Sequence, residues 1–172
     1  YFIADIAANH DGQLSRAKRL IRLAKAAGAD AAKFQHFRAP HIVSDVGFQA
    51  LGAQQSHQAG WRKSVYEVYQ DASLPWEWTA QLKAECEAAG IEFFSAPYDA
   101  EAVEMLDPYV SVFKIGSGEI TWVEMVRAIA SWRKPVILAT GASDIVDVQR
   151  AVGAILEVNP SLALLQCNTN YT

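Results

Sequence analysis

Two lysines sit inside apolar runs, Lys33 in "AAKFQHF" and Lys114 in "SVFKIGSGE". An ammonium group there is costly unless an anion or a solvated cavity receives it. Two such groups converging from separate segments can hold a small anion. Ser117, Thr140 and either Asn168 or Thr169 add neutral hydrogen-bond donors, and the whole set suits a phosphate or a carboxylate. Asp5, Gln35 and Glu119 are acceptors better matched to hydroxyl groups and proton transfer. One cavity offering both sets would hold an anion beside a polyhydroxylated partner.

Each residue also has a plainer reading. Either lysine can snorkel to solvent from a strand end, and Glu119 can simply pair with Lys114. Asp5 is harder to dismiss, because a carboxylate flanked by Ile3 and Ile6 must be paired or solvated by a pocket. Asp11 reads as a loop or capping residue before the first helix. His10, His36, His41 and His57 show no metal-ligand spacing. The glycines of "IGSG" lack the dinucleotide pattern and suit close approach of the backbone to a ligand.

The elements that must position these groups alternate along the chain. Strands are expected over 1–7, 30–37, 91–97, 111–118, 135–141 and 162–167. Helical runs follow at about 14–27, 75–89, 100–106, 122–132 and 143–159, with Gly28 and Gly90 placed as helix stops. This βα rhythm, with near-continuous apolar strands, predicts a parallel sheet covered on both faces. The polar residues, Ser95 among them, cluster at the carboxyl ends of the strands, the rim where α/β folds build their sites. Residues 38–64, carrying Gln54, Gln55, His57, Gln58 and Trp61, break the rhythm and read as a lid or an interface segment.

At 172 residues, with a net charge of −4 and 51% hydrophobic residues, the chain is one ordinary domain with a real core. The acidic balance argues against a nucleic-acid partner. No apolar run reaches the roughly 18 residues of a membrane span, and no signal peptide is visible. Cys86 and Cys167 have neither metal-ligand spacing nor a disulfide framework, which fits a cytoplasmic setting.

"IADIAANHDG", "GADAAKFQ", "IEFFSAPYD", "FKIGSGEI", "PVILATGAS" and "LLQCNTNY" resemble, in order, the strand motifs of the sialic acid synthase family, including its spore-coat polysaccharide branch. The resemblance implies a (β/α)8 TIM barrel, of which residues 1–172 cover about the first six βα units. It implies condensation of phosphoenolpyruvate with an N-acetylmannosamine-like amino-sugar aldose, releasing phosphate, in a homodimer. It places Lys33, Lys114 and Ser117 on phosphoenolpyruvate, Gln35 and Glu119 on the sugar, Asp5 at the first-strand acidic position and Tyr171 by the substrates. It further implies a divalent metal, Mn²⁺ or Mg²⁺, with its histidine ligands on two later strands outside these residues, and a C-terminal antifreeze-like domain. A closed barrel takes about 250 residues, so the sequence reads as part of a longer protein. Asp5 stands where the family usually has Glu, and Ala96 and Ala139 where Ser or Thr commonly binds phosphate. Two rival readings are therefore kept: a phosphosugar lyase or isomerase on the same barrel, and a catalytically silent sugar-binding paralogue.

Overall fold

The structure is a computed structural model, and it describes residues 1–50 and 61–169. Six strands, β1 (Ile3–Asp5), β2 (Ala31–His36), β3 (Glu92–Pro97), β4 (Phe113–Ile115), β5 (Val136–Ala139) and β6 (Leu162–Leu165), form one sheet in the order β1-β2-β3-β4-β5-β6. Every pairing is parallel and between sequence neighbours. Among the described residues the strand order never reverses, so they hold no switch point of the doubly wound kind. The result is a half-barrel. The strands are shorter than the apolar runs that announced them, because Ile6, Gly116 and Thr140 already belong to the βα turns.

Helices α1 (Leu14–Ala26), α5 (Thr79–Ala89), α6 (Ala100–Leu106), α7 (Val123–Ser131) and α8 (Ile145–Leu156) fill the intervals between strands. Gly90 ends α5 at φ +66°, a left-handed cap that favours glycine. Asp99 opens α6 by accepting the Ala102 amide at 2.7 Å, and Asp144 opens α8 by accepting from Val146 and Asp147. The segment read as a lid contains two short helices, α2 (Ala39–Ile42) and α3 (Asp45–Ala50), while Gln54, Gln55, His57 and Gln58 lie outside the described residues. Arg38 anchors its start, reaching Glu101 at 2.8 Å and Asp99 at 3.2 Å over the Trp76 ring. Helix α4 (Val65–Ala72) was missed in the sequence, although "SVYE" forms a capping box between Ser64 and Glu67.

Strand alternation sorts the residues. Phe34, Phe93, Phe113, Ile115, Val136 and Leu138 are buried in the core beneath Ile21, Leu82, Leu106, Val126, Ile129 and Ile155 of the helices. The opposite, concave face carries Asp5, Lys33, Gln35, Ala96, Lys114 and Ala139. Among the described residues no helix is long and apolar enough to cross a membrane.

Ser95 belongs to the helix side. The expectation that its hydroxyl faces the rim fails because it is one residue out of phase with Ala96. It is fully buried and contacts His36 Nδ1 at 2.7 Å, while His36 Nε2 lies 2.9 Å from Thr79 Oγ1. Thr79 spends its proton on the Trp76 carbonyl. It therefore accepts from His36 Nε2–H, and Nδ1 accepts from Ser95. Burial, with a smaller push from His10, drives the His36 pKa down to about 3. Protonation below the ordinary value near 6.5 then favours the unfolded chain, so stability falls with pH from there down to about 3. The expected slope from this group is about 1.4 kcal/mol per pH unit. Urea midpoints taken between pH 7 and pH 5 should decline steeply in the parent and less steeply in His36→Gln. Parallel declines would rule the histidine out.

Candidate active site

A cavity of about 480 Å³ opens at the carboxyl ends of the strands on the concave face. Lys33 and Lys114 both line it, one from β2 and one from β4. Register explains the convergence: Lys33 is level with Asp5 and Phe94, Lys114 is level with Ile137, and all of these line the same cavity. Lys33 Nζ pairs with Asp5 Oδ1 at 2.8 Å, the lysine side chain buried and the carboxylate 58% exposed. Asp5 thus meets both conditions that its sequence context demanded.

Among the described residues Lys114 has no carboxylate partner. Its Nζ donates to the Ile115 carbonyl at 3.0 Å, and no ion pair joins it to Glu119 among the described residues. Burial, followed by repulsion from Lys33, holds its pKa below the ordinary lysine value. Glu119 closes the 3₁₀ turn Ser117–Glu119 after β4, and burial raises its pKa against the opposing pull of Lys114. A half-buried acid shifted up and a half-buried base shifted down, in one cavity, are the usual mark of proton-transfer chemistry.

The turn after β4 is packed tightly. A Cβ on Gly116 would stand 2.3 Å from Glu119 Oε2, so the missing side chain is what seats that carboxylate. A Cβ on Gly141 would meet Thr169 Cγ2 at 2.5 Å and Ser117 Oγ at 2.9 Å. The Gly141 amide donates to Ser117 Oγ at 3.1 Å, tying the β4 and β5 turns together and leaving the serine O–H to donate into the cavity.

Most predicted residues meet here: Asp5, Lys33, Gln35, Lys114, Ser117, Glu119 and Thr169 all line the cavity. Thr140 does not. Its hydroxyl and its amide both go to the Leu165 carbonyl, at 3.1 and 3.0 Å, stitching β5 to β6. Asn168 is exposed and also lies off the lining, so of the pair left open by the sequence it is Thr169 that faces the hollow. Tyr171 lies outside the described residues. Ala96 and Ala139 line the cavity with methyl groups where hydroxyl donors would otherwise point.

Tyr98 and Cys167 were missed as lining residues. Tyr98 Oη accepts from Gln35 Nε2 at 2.8 Å, and burial, reinforced by the Glu119 carboxylate, raises the phenol pKa. Its signal was available, since Tyr98 directly follows the end of β3. No group of three or more His, Cys, Asp or Glu side chains comes together to hold a metal ion among the described residues.

Residues 20–172 match the NeuB family. The chain belongs to the NeuB family. It is 34% identical to the N,N'-diacetyllegionaminic acid synthase of Legionella pneumophila, across 99% of this chain and 49% of that protein. It is 33% identical to the spore coat polysaccharide biosynthesis protein SpsE of Bacillus subtilis, across 99% of this chain and 45% of that one. The crystal structure of an N-acetylneuraminic acid (sialic acid) synthetase from Leptospira borgpetersenii superposes with a TM-score of 0.82 at 26% identity, over 99% of this chain and 55% of that chain. The chain thus spans about half the length of the NeuB-family relatives that it matches.

Proposed function

We propose that this chain forms the phosphoenolpyruvate-binding part of a synthase that joins phosphoenolpyruvate to an N-acetylmannosamine-like aldose, giving a sialic-acid-like acid and phosphate. The observation carrying the reading is that a buried and a half-buried lysine from different strands line one cavity. Lys33 and Lys114 neutralise the phosphate and carboxylate of the three-carbon acid, and Ser117 and Thr169 donate hydrogen bonds to it. Carbon 3 of phosphoenolpyruvate bonds to the aldehyde carbon, water adds at carbon 2, and the carbon–oxygen bond to phosphate breaks. Glu119 moves the proton between the reacting oxygens, while Gln35 and Asp5 orient sugar hydroxyls. The catalytic set is thus Glu119, Asp5, Lys33 and Lys114.

The same reading places these strands in a complete (β/α)8 barrel of a cytoplasmic homodimer, with a divalent metal, Mn²⁺ or Mg²⁺, held by residues beyond those described. The decisive assay follows phosphate release by the full-length protein supplied with phosphoenolpyruvate, Mn²⁺ and N-acetylmannosamine. Release that depends on both substrates supports the synthase. The methyl groups of Ala96 and Ala139 favour one rival, the silent sugar-binding paralogue, which predicts thermal stabilisation by the sugar with no phosphate released.

A further inference from the structure

A second cavity, of about 420 Å³, adjoins the first and shares Asp5, Gln35 and Tyr98 with it as a common wall. Its other side is built from the β1 turn at Ala7 and Ala8, from Phe37 after β2, and from Val68, Tyr69 and Ala72 on α4. The two hollows differ sharply in charge. The first contains both site lysines, whereas the second has no Lys, Arg or His among its described lining residues and one carboxylate, Asp5. An anion belongs in the first and is disfavoured in the second.

The second hollow is aromatic and apolar. Phe37 packs edge-on to Tyr98 with ring centroids 5.7 Å apart, and tilted against Tyr69 at 5.6 Å. The common wall is polar and fixed. Gln35 gives one amide N–H to Tyr98, which leaves its carbonyl and its second N–H for a ligand spanning the two compartments. An uncharged apolar group attached to a polyhydroxylated body fits this arrangement: hydroxyls against Asp5 and Gln35, the apolar group against the rings.

We propose that this annex receives the acyl group of the acceptor sugar's amide substituent, and that Val68 and Ala72 on α4 set which acyl size is admitted. The inference rests on the synthase reading above and adds the location of its acceptor selectivity. Helix α4 suits the role, because its residues enter the annex without touching the lysine cavity.

The test compares N-acetylmannosamine, N-butanoylmannosamine and unsubstituted mannose as acceptors for the full-length protein, with phosphate release as the readout. Ala72→Phe fills the annex and should lower kcat/KM for N-acetylmannosamine about 10- to 200-fold, the range one or two misplaced carbons command in an apolar pocket. Its kcat/KM with mannose should stay within about twofold. Val68→Ala, which only removes atoms, should raise the N-butanoyl to N-acetyl ratio. An unchanged selectivity ratio in both variants, with phosphate still released, overturns the annex alone. Absence of phosphate release from the parent with every acceptor overturns the synthase reading and the annex together.

Discussion

A Lys114→Met protein is expected to withstand heat better than its parent and yet to bind phosphoenolpyruvate about 100- to 1,000-fold more weakly, a loss of about 3–4 kcal/mol. Both halves follow from one placement. Lys114 is half-buried, lies near Lys33, and among the described residues is partnered by the Ile115 carbonyl alone. Its pKa is held below the ordinary lysine value, so the folded state disfavours the ammonium form. Stability therefore rises as pH climbs through that lowered value, and at neutral pH the charged side chain is a net burden on the fold. Methionine fills similar volume without charge and removes the burden, as replacing buried ionic groups with packed apolar ones commonly does. The same charge is what an incoming dianion requires. Thermal melts without ligand and calorimetric titration with phosphoenolpyruvate read the two effects separately. Weaker melting together with unchanged affinity would show Lys114 to be structural.

Glu119→Gln should cost about a hundred- to ten-thousand-fold in kcat while changing phosphoenolpyruvate affinity by less than about threefold. Glu119 is not ion-paired to the lysines, and burial keeps its carboxyl protonated to higher pH than an ordinary glutamate. Its contribution to stability is complete at low pH and is lost as pH rises through the raised value, so the glutamine variant should be the more stable protein at pH 7. In the parent, the acid limb of the kcat profile should lie above the usual glutamate range; in the variant that limb should vanish. A glutamine protein that keeps its rate and its profile would remove Glu119 from proton transfer and leave it a packing residue above Gly116.

The parts of this arrangement that were legible in the sequence are those that follow from strand phase and special residues. Lys33 and Gln35 alternate on one face of a strand, and Lys114, Ser117 and Glu119 follow one another through a glycine-bearing turn, so "KFQ" and "KIGSGE" already placed them together. Ser95 and Thr140 were misplaced because a hydroxyl near a strand end has two uses. Ser95 is one position out of phase and satisfies His36, and Thr140 is consumed by the Leu165 carbonyl. The Asp11 expectation was partly met: it pairs with Arg16 at 3.1 Å, while Gln13 occupies the N-cap. Helix α4 and Tyr98 were missed for another reason. Their importance lies in tertiary contacts, α4 folding over the β1 and β2 turns and Tyr98 meeting Gln35, 63 residues away. The capping box and the place of Tyr98 at a strand end mark the elements locally, but no local pattern encodes their meeting.

The chemistry proposed here depends on the pair of ammonium groups acting on one small dianion. The most direct measurement is a crystal structure of the full-length protein soaked with phosphoenolpyruvate in the absence of acceptor. The expected density lies in the concave-face cavity, with Lys114 Nζ turned away from the Ile115 carbonyl and both lysine nitrogens about 2.7–2.9 Å from carboxylate or phosphate oxygens. Phosphoenolpyruvate bound elsewhere, with Lys114 still donating to Ile115 and Lys33 still held by Asp5 alone, would contradict it.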